Sequence, residues 1–366
     1  VYLADNGDED EIRPSVEAGN RAAVITDRSP FYGTMGGQQG DQGKICSGTS
    51  VFTVEETIHL QGGKLAHLGT VEQGGFSVGD SVTLVVDAKK RALTARNHTA
   101  THLLQKALKE TLGSHVEQAG AYYDDKRLRF DFTHFTALTK EELEKVENLV
   151  NEEIARADVV LTREMPIEEA KKSGATALFG EKYGDTVRVV SVGDFSIELC
   201  GGTHVENSSS IQAFKILSEQ GVAAGVRRIE AITSQNLFDY FHHEEELLKS
   251  LSGKLKADPE HLLARVESLE KELKESRSQC EQLKAKLANA EVEDLAVVEY
   301  KDCSLIATNI PGMDRNALRN LGDSLKDKHK NAFILLASVE DGKPILMATA
   351  SDGAVKLGAH AGNLIK

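Results

Sequence analysis

Two short spacings constrain this chain more than any other feature: His98-Thr-Ala-Thr-His102 and Cys200-Gly-Gly-Thr-His204. A helix brings positions i and i+4 to one face, so His98 and His102 can share a metal ion. Alone, that spacing is a weak signal. The chain holds 12 histidines, and a solvated pair on a helix reads the same way. Cys200 and His204 repeat the spacing with a thiolate and an imidazole, and the two glycines between them let the backbone turn so that both face one point. Three imidazoles and one thiolate form a borderline-soft donor set that suits Zn2+. The four donors either fill a tetrahedral structural site or leave one position open to water or substrate. Spacing does not separate these cases.

Both pairs fall in a stretch, roughly 91–236, that reads as mixed α+β. Asn97 is the expected cap of a helix whose apolar face is Leu103, Leu104, Ala107, Leu108 and Leu112, with Gly113 at its end. Leu128, Phe130 and Phe132 alternate as in a strand. Thr139 and Glu142 form a capping box that opens a helix with Leu143, Val146, Val150 and Ile154 inward. Further strands are expected at 187–192, 195–200, 211–217 and 226–233. Residues 1–90 read as β, with runs at Val51–Val54 and Ser81–Val86 and turn signals at Gly62-Gly63, Gly74-Gly75 and Gly79-Asp80. Many short strands with glycine turns suggest a small β-barrel.

Residues 237–292 change character. Leu262, Val266, Leu269, Leu273, Ser276, Cys280, Leu283 and Leu287 alternate steps of four and three, an a/d seam with Glu and Lys outside. Asp258-Pro259 supplies a cap and an N1 proline before it. Leu247 to Leu255 is also helical, which makes an antiparallel coiled-coil hairpin plausible. The seam serves either as a spacer or for self-association. Residues 293–366 return to α/β, with strands at Ala332–Val339 and Pro344–Ala350 around Asp341-Gly342 and a helix-like stretch from Gly358 to Lys366. The expected organisation is therefore α+β: a β-barrel (1–90), a metal-site core (91–236), a helical segment (237–292) and a small α/β domain (293–366).

The 366 residues fit two or three domains, with 27% charged and 40% hydrophobic residues as in a soluble globular protein. No apolar run is long enough for a membrane span and no leader is evident. A start at Val1 suggests a fragment. Cys46, Cys200, Cys280 and Cys303 are scattered, so a disulfide framework is not expected and a reducing cytoplasm fits. The net charge of −14 argues mildly against nucleic-acid binding, although a local basic face is compatible with it. The metalloprotease helix carries Glu directly after its first His. Here that position is Thr99, which points away from amide hydrolysis and toward an activated ester.

Several longer motifs resemble the editing region of the alanyl-tRNA synthetase family. They are Arg96-Asn-His-Thr-Ala-Thr-His-Leu-Leu104, Arg127-Leu-Arg-Phe-Asp-Phe132, Ala177-Leu-Phe-Gly-Glu-Lys-Tyr-Gly-Asp185, Glu198-Leu-Cys-Gly-Gly-Thr-His204 and Ala223-Ala-Gly-Val-Arg-Arg-Ile-Glu230. Ser29-Pro-Phe-Tyr32 with Gly36-Gly-Gln-Gln-Gly-Asp41 resembles the β-barrel of that region. Asp352-Gly-Ala-Val-Lys-Leu-Gly358 resembles the family's C-terminal tRNA-contacting domain. The resemblance implies hydrolysis of the ester of alanine tRNA mischarged with Ser or Gly, at a Zn2+ site of His98, His102, Cys200 and His204, with no aminoacylation by this segment and a C-terminal part that contacts tRNA or mediates a homodimer. A free-standing deacylase with the same reaction and a non-catalytic, zinc-stabilised RNA-binding module are the alternatives.

Serine is larger than alanine, so a size sieve would pass the wrong amino acid, and the pocket must read the hydroxyl itself. Thr101 is the candidate for that contact. Gln118 matches a family residue near the pocket, where its amide would position water or the ester. Gly36-Gly37-Gln38 resembles a loop that cleaves esters on tRNA elsewhere, which makes Gln38 a third catalytic candidate. Arg227 and Arg228 are candidates for tRNA phosphate, though an alternating strand points only one of them outward.

Overall fold

The structure is a computed structural model that describes residues 2–3, 11–176, 184–293, 296–340 and 342–363. It divides into two compact units, Val1–Glu246 and Leu247–Lys366.

The first unit opens with β1 (Tyr2–Leu3), β2 (Glu11–Ile12), β3 (Ser15–Glu17), β4 (Arg21–Ile25), β5 (Gly43–Ser47), β6 (Ser50–His59), β7 (Leu65–Gln73), β8 (Gly75–Ser77) and β9 (Thr83–Val86). Seven of these form one sheet in the order β2-β1-β4-β7-β6-β5-β9, and β3 pairs with β8. The expected barrel is not closed. Closure needs the two edge strands to pair along their length, and the edges here, β2 and β9, are only 2 and 4 residues long. Ile45, Phe52, Val54, Val71 and Phe76 are the buried inner face of this sheet layer.

Helix α1 runs from Ala88 to Leu112. Asn97 was the expected cap, but the helix starts ten residues earlier, where the Asp87 carboxylate accepts from the backbone N–H groups of Lys89 and Lys90. Asn97 is instead fully buried mid-helix. Its amide donates to the Asp124 carbonyl at 2.8 Å and its oxygen accepts from the Thr233 hydroxyl at 2.8 Å. After α1 come β10 (Gln118–Tyr123), β11 (Leu128–Thr133), α2 (Lys140–Ala155), β12 (Val160–Pro166), α3 (Ile167–Lys172), β13 (Thr186–Val192), β14 (Ser196–Leu199), β15 (Phe214–Ala223), β16 (Val226–Thr233) and α4 (Ser234–Leu255). Two antiparallel sheets result, β10-β11-β16-β15 and β12-β13-β14. The Thr139–Glu142 capping box is present at the start of α2, and Val146, Val150 and Ile154 are buried, while Leu143 packs only at the margin. Leu128, Phe130 and Phe132 face α1, joining Leu103, Leu104, Ala107 and Leu108 in one core. The strand expected at 211–217 begins later, after a 3-10 turn at Ser208–Ile211. Most of the Ala177–Asp185 motif lies outside the described residues.

The second unit contains α5 (Leu262–Glu293), β17 (Val297–Tyr300), β18 (Cys303–Asn309), α6 (Arg315–Lys328), β19 (Ala332–Glu340), β20 (Lys343–Ala350) and α7 (Asp352–Lys356). Its sheet has the order β17-β18-β19-β20, with β18 and β19 parallel across the α6 connection. Leu318, Leu321 and Leu325 pack one face of α6 onto Ile306, Ile334 and Leu336. Pro259 opens a 3-10 turn, Pro259–His261, ahead of α5 rather than α5 itself, and Asp258 makes no side-chain cap bond. Seam residues Val266, Leu273 and Leu283 are exposed on α5. The helix-like C-terminal stretch resolves into α7, ahead of it, and one 3-10 turn at Ala361–Asn363; residues 364–366 lie outside the described set. None of the four cysteines is joined in a disulfide among the described residues, and no helix among them is long and apolar enough to cross a membrane.

The Asn97 bridge ties α1 to β16 and to the turn after β10. Asn97→Ala should destabilise the first unit by about 1–3 kcal/mol, because the buried Thr233 hydroxyl and the half-buried Asp124 carbonyl lose their partner. An unchanged urea midpoint would show that α1 is held by its apolar face alone.

Candidate metal centre

The middle of α1 carries His98 and His102 on its buried side. The second donor pair arrives from the opposite direction. Strand β14 ends at Leu199, and the chain turns through Gly201 and Gly202 before His204. Arg188 of β13 holds that turn: one guanidinium nitrogen donates to the carbonyls of Cys200 (2.8 Å) and Gly202 (2.6 Å). Gly202 is required by proximity. A Cβ there would lie 2.1 Å from Cε1 of His98 and 2.7 Å from the Gln38 amide oxygen.

The four donor side chains converge, with one ligand atom from each lying within 4.8 Å of the others. The Cys200 sulfur is 3.3 Å from Nε2 of His98 and 3.2 Å from Nε2 of His204. A tetrahedral zinc site places its sulfur and nitrogen ligands about 3.6 Å apart, so the cluster needs little adjustment to close around an ion.

Outer partners set the ring tautomers. The Thr203 backbone N–H donates to the Gln38 amide oxygen at 2.9 Å, and the Gln38 NH2 donates to the Thr203 hydroxyl at 2.8 Å. This fixes the amide orientation, so the 2.9 Å contact between that oxygen and Nδ1 of His98 requires Nδ1 to carry the proton. Nε2 of His98 then keeps its lone pair toward Cys200. Similarly, the Thr99 hydroxyl donates to the Ala95 carbonyl at 2.9 Å, leaving its oxygen to accept from Nδ1 of His204 at 3.1 Å. Tyr123 stacks on His98 with ring centroids 3.9 Å apart. Burial holds all three imidazoles neutral. It pushes His102 down to about 3 and puts His98 and His204 well below the ordinary histidine range, with nearby histidine charge and Arg188 adding to the effect. Neutral imidazoles around a thiolate are the donor set zinc takes. One nitrogen, Nδ1 of His102, is buried with no hydrogen-bond partner among the described residues, as expected of an atom that belongs to a metal.

The other expected residues fall in different settings. Gln38 is 1% exposed and lies at the centre, where it orients His98. Thr101 is buried, and its hydroxyl donates to the Asn97 carbonyl at 2.9 Å. Gln118 is half-buried on β10 opposite Phe132. Arg227 is ion-paired to Glu219, and Arg228 grips Asp131 with two nitrogens at 2.6 and 2.8 Å. The spacing argument missed Arg188, Thr99 and Glu198. Glu198 is 8% exposed, its acid is pushed up to about 8 chiefly by burial, and one oxygen lies 3.7 Å from Nε2 of His102. The single charged residue in a valine-rich strand is the cue that marks Arg188; Thr99 and Glu198 stand inside the motifs named above, but no local pattern assigns them a role.

Residues 187–230, which include Cys200 and His204, match the family model for the threonyl and alanyl tRNA synthetase second additional domain. Residues 3–90 match that for class II (A) tRNA synthetases. Over 98% of its length the chain is 57% identical to Alanine--tRNA ligase 1 of Lachnoclostridium phytofermentans and 45% identical to Alanine--tRNA ligase of Acetivibrio thermocellus. This chain belongs to the alanyl-tRNA synthetase family. It also aligns along its whole length, at 44% identity, with Alanine--tRNA ligase of Bacillus cytotoxicus. The chain spans about two fifths of the length of these curated ligases, 41–42% of each.

Gly202→Ala should weaken zinc retention about tenfold or more, since the added methyl displaces His98. Gly201→Ala should be tolerated, because its Cβ would meet only the mobile end of Met35, at 3.2 Å. Zinc content of the two purified variants after dialysis against chelator distinguishes them; equal retention would show that His98 is not held by this contact.

Proposed function

We propose that this chain hydrolyses the ester linking serine or glycine to alanine tRNA, at the centre formed by His98, His102, Cys200 and His204. The observation that carries the reading is the convergence of those four side chains in a member of the alanyl-tRNA synthetase family. In the reaction, water adds to the ester carbonyl, and the amino acid leaves the tRNA with a free terminal hydroxyl.

A zinc ion held by the four side chains would supply Lewis acidity toward the ester. The chain itself does the rest. Gln38 and Thr99 keep the rings of His98 and His204 in one tautomer. The surrounding core restricts bulk water, so polar contacts to the amino acid are stronger than at a surface. Discrimination by size alone gives roughly 1–3 kcal/mol per methyl and runs the wrong way for serine. In this reading Thr101 supplies the polar contact: its hydroxyl proton is engaged with Asn97, so its oxygen acts as acceptor for the serine hydroxyl. Gln118 orients water or the ester, and Arg227 and Arg228 meet tRNA phosphate on exchanging their carboxylate partners. The exposed α5 seam and the edge strand β17 support pairing with a second copy through the C-terminal half, and the reaction belongs to a cytoplasmic enzyme of protein synthesis.

Three results follow. Purified protein should deacylate Ser-tRNA(Ala) and Gly-tRNA(Ala), and Cys200→Ala should lose zinc and activity together; zinc-bound protein without deacylation would leave a non-catalytic RNA-binding module as the better reading. Thr101→Val should slow serine removal up to about tenfold, the worth of one hydrogen bond, while leaving Ala-tRNA(Ala) cleavage no slower. An unchanged Ser/Ala ratio at equal zinc content would place serine recognition elsewhere. Sedimentation should show a concentration-dependent dimer; a monomer at every concentration would make the seam a spacer.

A further inference from the structure

His98 and His204 share one arrangement. Each has Nδ1 held by an outer partner, Gln38 or Thr99, and Nε2 turned to Cys200. His102 breaks the pattern. Its Nδ1 is buried and without a partner among the described residues. Its Nε2 instead faces the Glu198 carboxylate at 3.7 Å. Glu198 stands one strand period before Cys200. Its other oxygen accepts from the Ser196 hydroxyl at 3.1 Å, so the carboxyl group is anchored at one end, while the oxygen facing the ring stands a short shift outside hydrogen-bond distance of it. A carboxylate this buried is costly without a partner, and among the described residues the nitrogen within ion-pair distance is that of His102.

We infer that Glu198 is the positioning residue of His102: by accepting the Nε2 proton it turns the ring so that Nδ1 is presented to the metal. The inference rests on the reading of the cluster as a metal centre, not on what the centre hydrolyses. It gives all three imidazoles an outer partner, with His102 attached through the opposite nitrogen from the other two. Partners of this kind are worth 10–100-fold in metal affinity.

Glu198 also lines a polar cavity of about 150 Å3 together with Gln105, Lys106, Lys109 and Ser196. Lys106 is paired with Glu110 at 3.3 Å and Asp194 also lines the cavity, so Lys109 is the cation that favours a small anion there, which supplies a direct test on the full chain. Zinc affinity is measured by competition with a chelator for wild type, Glu198→Ala, Glu198→Gln and Glu198→Asp. Glu198→Ala should bind zinc about 10–100-fold more weakly, and added formate should recover much of the loss while leaving wild type unaffected. Glu198→Asp should recover part of it. Glu198→Gln keeps the volume, so a loss there carries the argument if the alanine variant does not fold. Nitrogen-15 shifts of zinc-loaded protein should report Nδ1 ligation at His102. Wild-type affinity in both Glu198→Ala and Glu198→Gln, a loss that neither formate nor aspartate recovers, or Nε2 ligation at His102 would each overturn the inference. Absence of deacylation would overturn the proposed reaction and leave this one standing.

Discussion

Three imidazoles and a thiol sit against the main hydrophobic core of the first unit, and that placement governs what surrounds them. A buried imidazole is stable only when neutral, and a neutral ring is useful only if its proton is on the right nitrogen. The fold answers with side chains from distant parts of the chain. Gln38 comes from the loop before β5, Thr99 from α1 itself, and Arg188 from β13 to hold the carbonyls of Cys200 and Gly202. The glycine at 202 is the steric counterpart of this crowding. The centre is therefore less a set of four ligands than a small polar assembly enclosed by apolar packing.

Much of this was legible in the sequence, for identifiable reasons. Signals that depend on local periodicity survived: the alternation of Leu128, Phe130 and Phe132, the Thr139 capping box, and the i, i+4 pairs. The convergence of the four candidate donors was legible because helical and turn spacing alone puts each pair on one point. Signals that depend on what lies across space did not survive. Asn97 has the chemistry of a cap, but a second capping residue, Asp87, stands upstream, and the partners that make Asn97 an interior bridge are Asp124 and Thr233. The barrel expectation counted strands and turns, whereas closure depends on the length and pairing of the edges. Gln38 was singled out for a resemblance in its loop, and the hydrogen bonds it makes are with residues 60 and 165 positions away. Glu198 opened a quoted motif without a role of its own, since what it faces belongs to a helix nearly one hundred residues earlier.

The two units rest on different physics. The first encloses polar groups and so needs each of them satisfied. The second is a four-stranded sheet with one amphipathic helix, α6, over an aliphatic core, and its long helix α5 leaves Leu273 and Leu283 in contact with solvent. Packing of the second is governed by apolar area, and a core of this kind tolerates exchanges that conserve volume. Packing of the first is governed by geometry, where a single methyl at position 202 matters.

The order of the ligands along the chain has a consequence for how the protein is made. His98 and His102 leave the ribosome as a helical imidazole pair long before Cys200, 102 residues after His98, has been added. During that interval the pair is half a site, open to any divalent ion that tolerates two nitrogens and water. A zinc ion held there would be selected only once the thiolate has arrived and the turn held by Arg188 has closed, so the choice of metal would fall to Cys200, the one soft donor of the four.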